Sequence, residues 1–348
     1  MSHRRAMRAV VIGIAAGLVA SCGHVPPAAP RAAATSSVAG DSAAPDALSC
    51  RLPVYGVSGY GATPLYEGAF ITFPSGQTLM DPSSELVSGN GTAQESFDRT
   101  AGRWVPVPYA QVSPDGTKYA YETNAWFHPS SQNPFGPTQI HVVDAASGRD
   151  QVVYEQGYYD ISVYGSAGIY LVHHMPQTDG SEGVYLLDPI HGTLKTIAAG
   201  GVDWMVDGGA GWSADVAPGT APPPGKATGN RLLRLDLASR TVAPWFVDPG
   251  FAVTVLGVRT GGQVLVQAAN DQHLQLWLMN SPSSATKIYE GGGWQSGMPG
   301  FQPGVADRHG FWLVEGSAVY LYASEGGLKK VADTPFNANE AWLGGDCF

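Results

Sequence analysis

Residues 111–122 read QVSPDGTKYAYE, and this stretch decides the fold. A tight polar corner, Ser113-Pro114-Asp115-Gly116, precedes the alternating run Tyr119-Ala120-Tyr121. Pro114 restricts its own backbone and Gly116 permits a positive φ angle, so the corner predicts a β-turn that joins two antiparallel strands. A catalytic loop is the alternative interpretation. Recurrence of the same pattern along the chain distinguishes a hairpin scaffold from such a loop.

Corners that end on a glycine do recur. The intervals between them are 48, 52, 43, 51 and 48 residues, close to the length of one four-stranded propeller blade. Six corners predict six blades, and the sequence also allows seven if residues 52–66 build an extra blade. The glycines taken as equivalent are Gly68, Gly116, Gly168, Gly211, Gly262 and Gly310.

A second series of strand-turn-strand segments interleaves with the first. Its members are residues 96–107, 140–155, 184–198, 231–247, 274–290 and 318–332. Four of them place an aspartate before the turn, where its carboxylate can accept backbone N–H bonds. These residues, interpreted as structural, are Asp98, Asp144, Asp188 and Asp236. Residues 50–348 therefore read as an all-β domain.

The corner and the aromatic run after it support a family resemblance. Ser113, Pro114, Asp115 and Gly116, followed by Tyr119-Ala120-Tyr121, resemble the WD40-like repeat of TolB-like propellers, a repeat also found in prolyl oligopeptidase-like proteins. The resemblance implies a six-bladed β-propeller over residues 50–348 and structural roles for the four corner residues. Residues 339–348 resemble an inner blade strand. We expect them to pair near Phe70–Phe73 and close the ring, because an open ring leaves bare strand edges.

The first 22 residues carry an export signal, with three arginines ahead of an apolar run from Ala9 to Ala20 that is short for a membrane span. The run ends in Leu18-Val19-Ala20-Ser21-Cys22, which resembles the lipobox of bacterial lipoproteins. That resemblance implies a signal peptide over residues 1–21 and a lipid on Cys22, which anchors the protein to a membrane from outside the cytoplasm. The alternative is an ordinary secretory signal with an incidental cysteine. The Arg-Arg pair fits twin-arginine export poorly, so we favour the general route.

Residues 22–49 are rich in Pro, Ala and Ser, a composition that predicts a disordered tether. Removal of residues 1–21 changes the formal charge from −10 to −13. An acidic protein of this kind lacks the basic surface that nucleic-acid binding requires. Cys50 and Cys347 bracket the domain, and in an exported protein they predict a disulfide between its two ends.

Sequence motifs for catalysis are sparse. The chain has no G-x-S-x-G elbow, H-E-x-x-H helix or G-x-x-x-x-G-K-[ST] loop. His173 and His174 are neighbours on a predicted strand and point to opposite faces, which disfavours a shared metal ion. Asp203 and Asp207 offer oxygen ligands for calcium but lack an identifiable third partner. We therefore expect no catalytic residues, no metal and no cofactor.

Aromatic residues near blade boundaries and in loops are the better candidates for recognition. Packing between blades as hydrophobic plugs is the alternative for them. The residues chosen as ligand-binding candidates are Trp104, Trp126, His128, Trp204, Trp212 and Trp294. The sequence predicts a monomeric, lipid-anchored binding or scaffold module of the cell envelope, with a protein or envelope polymer as partner. The alternative is a lactonase, lyase or glycan-cleaving enzyme with its site on the central channel.

Overall fold

The computed structural model describes residues 48–58, 65–84, 95–123, 137–174, 181–221, 229–259, 261–293, 300–323 and 327–348. The signal peptide, most of the tether, Cys22, Trp126, His128 and Trp294 lie outside these ranges. None of the helices within them has the length and apolar character that a membrane span requires. The helical residues described are two short 3-10 turns, Pro82–Ser84 and Tyr109–Gln111.

The described residues otherwise form short antiparallel strands, as the alternating patterns predict. They are β1 (Cys50–Ser58), β2 (Leu65–Phe73), β3 (Gln77–Asp81), β4 (Ser96–Asp98), β5 (Arg103–Val105), β6 (Lys118–Thr123), β7 (Gln139–Asp144), β8 (Asp150–Glu155), β9 (Tyr159–Gly165), β10 (Gly168–His174), β11 (Ser181–Asp188), β12 (Thr193–Val202), β13 (Met205–Asp207), β14 (Ala210–Asp215), β15 (Arg231–Asp236), β16 (Thr241–Val247), β17 (Ala252–Val258), β18 (Val264–Ala269), β19 (His273–Ser281), β20 (Ser284–Gly292), β21 (Val305–Ala306), β22 (Phe311–Glu315), β23 (Ala318–Ala323), β24 (Gly327–Asp333) and β25 (Ala341–Leu343).

Five four-stranded sheets and one three-stranded sheet account for most of these strands. In chain order the blades are β25-β1-β2-β3 (blade 1), β6-β7-β8 (blade 2), β9 to β12 (blade 3), β13 to β16 (blade 4), β17 to β20 (blade 5) and β21 to β24 (blade 6). In blade 2, Val112 makes a single bridge with Tyr119 in place of a full inner strand. Strands β4 and β5 form a separate hairpin. The fold is a six-bladed β-propeller.

Apolar faces of neighbouring blades meet around the whole ring. Ile140 of blade 2 packs in one buried cluster with Leu171 of blade 3, and similar clusters join blades 3 and 4, 4 and 5, 5 and 6, and 6 and 1. Between blades 1 and 2 the β4–β5 hairpin acts as a wedge. Phe97 of this hairpin lies edge-on to Phe70 of blade 1 at 4.9 Å between ring centroids, and Val105 packs with blade 2.

The ring closes between the two ends of the domain. Strand β25 pairs antiparallel with β1, where Val54, Tyr55 and Gly56 face Leu343, Trp342 and Ala341. The Arg51 and Phe348 backbones exchange two hydrogen bonds of 2.8 and 3.1 Å. The predicted disulfide joins Cys50 to Cys347, with their Cα atoms 5.5 Å apart. The closing strand was predicted, but it pairs with β1 and not with Phe70–Phe73, which lie in β2.

The corner at residues 113–116 is the predicted turn. Gly116 has a φ angle of +67°, and its N–H donates to the Ser113 carbonyl at 2.8 Å. The Asp115 carboxylate accepts the Thr117 N–H at 3.0 Å, which stabilises the turn. The corner holds Val112 against Tyr119 and so joins the inner edge of blade 2 to β6.

The four aspartates predicted to cap turns do so. Each carboxylate accepts one or two backbone N–H groups two or three residues further along the chain, and these aspartates are Asp98, Asp144, Asp188 and Asp236. Side-chain hydrogen bonds from Ser147 and His191, together with the backbone bonds, hold the carboxyl pKa of Asp144 and Asp188 below its ordinary value. The backbone and side chain of Ser239 do the same for Asp236. Their role is therefore structural.

Two assignments that the predicted repeat makes are wrong for the first blade. Gly68 lies inside β2 and not at a corner, and a Cβ atom there would overlap the Trp104 ring. Residues 96–107 form the wedge hairpin and not the outer hairpin of a blade, a place taken by β2 and β3. The extra hairpin shifts the spacing without adding a seventh blade, since residues 52–58 belong to β1.

Removal of the disulfide tests how far the ring depends on covalent closure. The bond closes a loop with a sequence separation of 297 residues, for which the chain-entropy relation gives at most about 5 to 6 kcal/mol. We expect the Cys50→Ala, Cys347→Ala double variant to lose stability within that limit and to remain folded, because β25 keeps its pairing with β1. Urea unfolding measures the change. Reduced wild type should match the variant, and equal midpoints for the variant and the oxidised protein would contradict the prediction.

Alanine substitution at Gly116 tests the corner. The change places a Cβ atom against the Thr100 side chain at a left-handed backbone position, so we expect a loss of roughly 2 to 3 kcal/mol. Gly148→Ala is the matched control, because its φ angle is +71° and nothing lies within 4 Å of the added carbon. The control should lose about 1 kcal/mol. Thermal unfolding of both variants decides the point, and equal losses would show that the Thr100 contact is unimportant.

Candidate functional site

A cavity of about 900 Å³ lies on the axis of the propeller. Every blade contributes to its wall, chiefly with apolar residues of the inner strands or of the segment that replaces one. Representative lining residues of blades 1 to 6 are Leu343, Val112, Val163, Val206, Leu256 and Val305. A concave site of this size and lining suits a ligand or an inserted part of a partner molecule.

Aromatic rings line one part of this cavity. Tyr55 and Trp342 face each other across β1 and β25, and their rings stack with centroids 5.4 Å apart. Directly opposed residues of an antiparallel pair share one face of the sheet, which explains this contact. Tyr109, on the 3-10 turn ahead of blade 2, also lines the cavity and is 38% exposed. The strand pair that closes the ring therefore also supplies an aromatic wall.

Asp207 is the most perturbed carboxyl group of the lining. It ends β13 in blade 4, and its Oδ2 accepts the N–H of Val258 in blade 5 at 3.0 Å. Burial raises the pKa of Asp207 to about 6, although the backbone hydrogen bonds from Gly208 and Val258 lower the pKa and so partly oppose this increase. Removal from water disfavours the charged carboxylate. Asp207 therefore changes charge near neutral pH at the cavity wall.

A second aspartate and the arginine that follows it also line the cavity. Asp98 is 2% exposed, and its Oδ2 has no hydrogen-bond partner among the described residues. Arg99 donates from Nη1 to Asp346 at 2.9 Å, and Tyr109 donates its hydroxyl to the same carboxylate at 3.1 Å. Burial, with the nearby Asp346 charge, raises the pKa of the Tyr109 hydroxyl. The guanidinium of Arg99 thus already has an acidic partner.

The residues that the sequence analysis considered as metal ligands have separate partners. Asp203 accepts the Ser181 N–H at 2.9 Å, whereas Asp207 bonds to Val258. His173 lies 3.6 Å from Glu182 and His174 lies 3.2 Å from Asp160, so the two histidines have separate partners, as their strand positions predict.

One group of three potential ligands does meet within the described residues. Cys50, His309 and Cys347 place their side-chain donor atoms within 4.8 Å of one another. Both sulfur atoms belong to the disulfide, so neither is a thiolate that could hold a metal ion. The sequence had suggested no histidine near either cysteine.

Three of the tryptophans chosen as recognition residues are buried. Trp104, Trp204 and Trp212 are 5%, 4% and 2% exposed. Their indole N–H groups donate to the Asp81 carboxylate, the Gly200 carbonyl and the Asp207 carbonyl, respectively. They pack in or between blades, as the alternative interpretation held, because their flat rings fill the gap between twisted sheets. Trp126, His128 and Trp294 lie outside the described residues.

Sequence reasoning missed the aromatic pair and the partner of Arg99. Tyr55 and Trp342 lie 287 positions apart, and only the ring closure brings them together. Arg99 and Asp346 are separated by 247 positions. The usable signal was the inner-strand character of residues 339–348, since a closing strand must expose alternate residues to the channel.

The chain was compared with protein-family models, curated proteins and solved structures. No protein-family model matches the chain, and no curated protein matches it in sequence. Similar solved structures include TolB from Acinetobacter baumannii, 12% identical over 85% of this chain and 67% of that one, with a TM-score of 0.47. The β-propeller domain of the Trilobed protease from Pyrococcus furiosus is 12% identical over 80% and 81% of the two chains, with a TM-score of 0.44.

A third similar structure is oligogalacturonate lyase from Vibrio parahaemolyticus, 12% identical over 79% of this chain and 77% of that one, with a TM-score of 0.40. The fold of the present chain is defined by its own strand order and not by these likenesses.

Asparagine at position 207 tests the raised pKa. A carboxyl whose folded pKa is raised from 3.8 to about 6 stabilises the fold below pH 4, and this contribution is lost as the pH rises through 6. We expect Asp207→Asn to match wild type at pH 4 and to exceed it by about 1 to 3 kcal/mol at pH 7.5. Urea unfolding across this range gives the difference. The exposed Asp203→Asn is the control, and a pH-independent difference at position 207 would contradict the assignment.

Proposed function

We propose that the protein is a non-catalytic binding module of the cell envelope. In this proposal a lipid on Cys22 holds the protein to a membrane, residues 22–49 act as the tether, and the propeller binds a protein or an envelope polymer as a monomer. The observation that carries the proposal is the axial cavity, whose wall combines apolar, aromatic and polar residues and receives them from every blade. A concave wall of this kind can receive a ligand or an inserted part of a partner molecule.

The disulfide supports a location outside the cytoplasm. A bond between Cys50 and Cys347 persists in oxidising compartments, whereas cytosolic reductants keep such thiols reduced. The export signal at residues 1–21 and Cys22 agree with this location. The acidic composition of the chain opposes nucleic acid as the partner.

Exposed residues of the cavity lining provide the binding rim in this proposal. Arg99, Thr100, Tyr109, Pro114 and Pro303 all line the cavity and are exposed. Tyr109 offers an amphipathic ring, a type of side chain that often anchors an interface. The rim is held in place by the bond between Tyr109 and Asp346 and by the Ser113–Gly116 corner.

An enzyme with its site on the channel is the second candidate, and Asp207 is the observation that favours it. A carboxyl group with a pKa near 6 can serve as a general acid or base close to neutral pH. A lactonase, lyase or glycan-cleaving enzyme would use such a group against a substrate in the cavity. Glycoside hydrolysis would also need a second carboxylate beside it.

Capture from detergent-solubilised envelopes tests the binding proposal. We expect Tyr109→Ala to capture at least several-fold less partner than wild type, because the substitution removes the aromatic ring from the rim. Ile190→Ala is the matched control, since Ile190 is 79% exposed in the turn between β11 and β12, away from the cavity lining. Cys22→Ala should capture the same partner while losing its membrane attachment.

Two results would overturn this proposal. Equal capture by Tyr109→Ala and Ile190→Ala would place the binding surface elsewhere. Capture of no partner, together with a hydrolytic or lyase activity that Asp207→Asn abolishes, would establish the enzyme instead.

A further inference from the structure

The charges around the axial cavity do not balance among the described residues. Asp98 and Asp207 line the wall, and Arg99 is the cationic side chain that lines it with them. The Arg99 guanidinium already bonds to Asp346, which is not part of the lining. Within the described part of the chain, the wall therefore carries two aspartates with no cation of their own.

Both aspartates are held by backbone groups that do not neutralise them. Asp207 accepts the Val258 N–H through Oδ2. Asp98 accepts two turn N–H groups through Oδ1, while its buried Oδ2 has no hydrogen-bond partner in the described parts of the chain. A carboxylate removed from water gains stability from any cation that approaches it, because little solvent screens the attraction. Asp207 is partly accessible, whereas Asp98 is buried in the wall.

The rest of the wall also suits a cation. Tyr55, Trp342, Tyr109 and Tyr164 all contribute to the lining. Aromatic faces attract ammonium and guanidinium groups through the negative potential of the ring. The stacked pair of Tyr55 and Trp342 therefore adds a second, independent source of attraction.

We propose that the cavity binds a cationic group, an ammonium or a guanidinium, presented by the partner, with Asp207 of blade 4 as its direct counter-charge and the aromatic side chains that line the same cavity as a further attraction. The inference rests on the proposed function and names the chemistry of the group that enters the channel. Cation binding depends on the charge state of Asp207, which shares the cavity with Asp98, Arg99, Tyr55, Tyr109 and Tyr164. Protonation of Asp207 below pH 6 weakens the site.

Two probes of equal shape and different charge test this inference on the mature protein. Nα-acetyl-argininamide carries the guanidinium, and Nα-acetyl-citrullinamide replaces it with a neutral ureido group. Titration followed by calorimetry or ligand-observed NMR at pH 7.5 and low salt should show a preference for the cation on the order of tenfold. The preference should shrink at pH 5.

Variants assign the preference to the cavity. Asp207→Asn should lose most of the preference while remaining folded by thermal unfolding. Asp203→Asn should keep it, because Asp203 is exposed, bonds to Ser181 and does not line the cavity. Equal binding of the two probes, no binding of either, or a full preference in Asp207→Asn would each overturn the inference.

The two proposals fail separately. If the probes show no charge preference but Tyr109→Ala still abolishes partner capture, the cation site is wrong and the binding module stands. If the charge preference is present but Tyr109→Ala captures as much partner as wild type, the cavity binds a small cation and the partner proposal is wrong.

Discussion

Burial of each blade's apolar face against the next blade is the interaction on which the whole structure depends. A single sheet of three or four short strands has two faces and no means of covering both. In the ring, buried clusters such as that of Ile140 and Leu171 cover one face, and the cluster across the next boundary covers the other. The wedge hairpin completes the circle where blades 1 and 2 would otherwise be apart, with Phe97 and Trp104 against Phe70.

The strand pair that closes the ring also forms part of the cavity wall. The register that pairs Tyr55 with Trp342 seals the two ends of the domain and also stacks two rings at the channel. The disulfide and the Arg51–Phe348 backbone bonds lie at the same seam. The residues that close the ring are therefore next to residues that line the cavity. A substitution that disrupts the pairing of β1 with β25 affects both the closure of the ring and the cavity wall.

The electrostatics of the cavity follow from its position in the ring. Asp207 ends an inner strand, so the blade that follows covers it and supplies the Val258 N–H, while water is largely removed. Burial raises the pKa of this group because the charged form loses hydration. The guanidinium of Arg99 could offset the charge of Asp207, but it is already bonded to Asp346 near the end of the chain. An acidic, aromatic cavity results, and this is why a cationic group is the ligand we infer.

The sequence by itself predicted most of the local elements and favoured six blades, although it also allowed seven. The Ser113–Gly116 turn, the four turn-capping aspartates, the six-blade count and the Cys50–Cys347 pairing were all predictable, because turn chemistry and strand alternation act over a few residues and the two cysteines bracket the domain. Tertiary structure alone decided that Gly68 makes room for Trp104, that residues 96–107 are a wedge, and that three candidate tryptophans are buried. It also decided the cavity, whose wall combines side chains from all six blades, since contacts across such separations depend on how whole sheets pack.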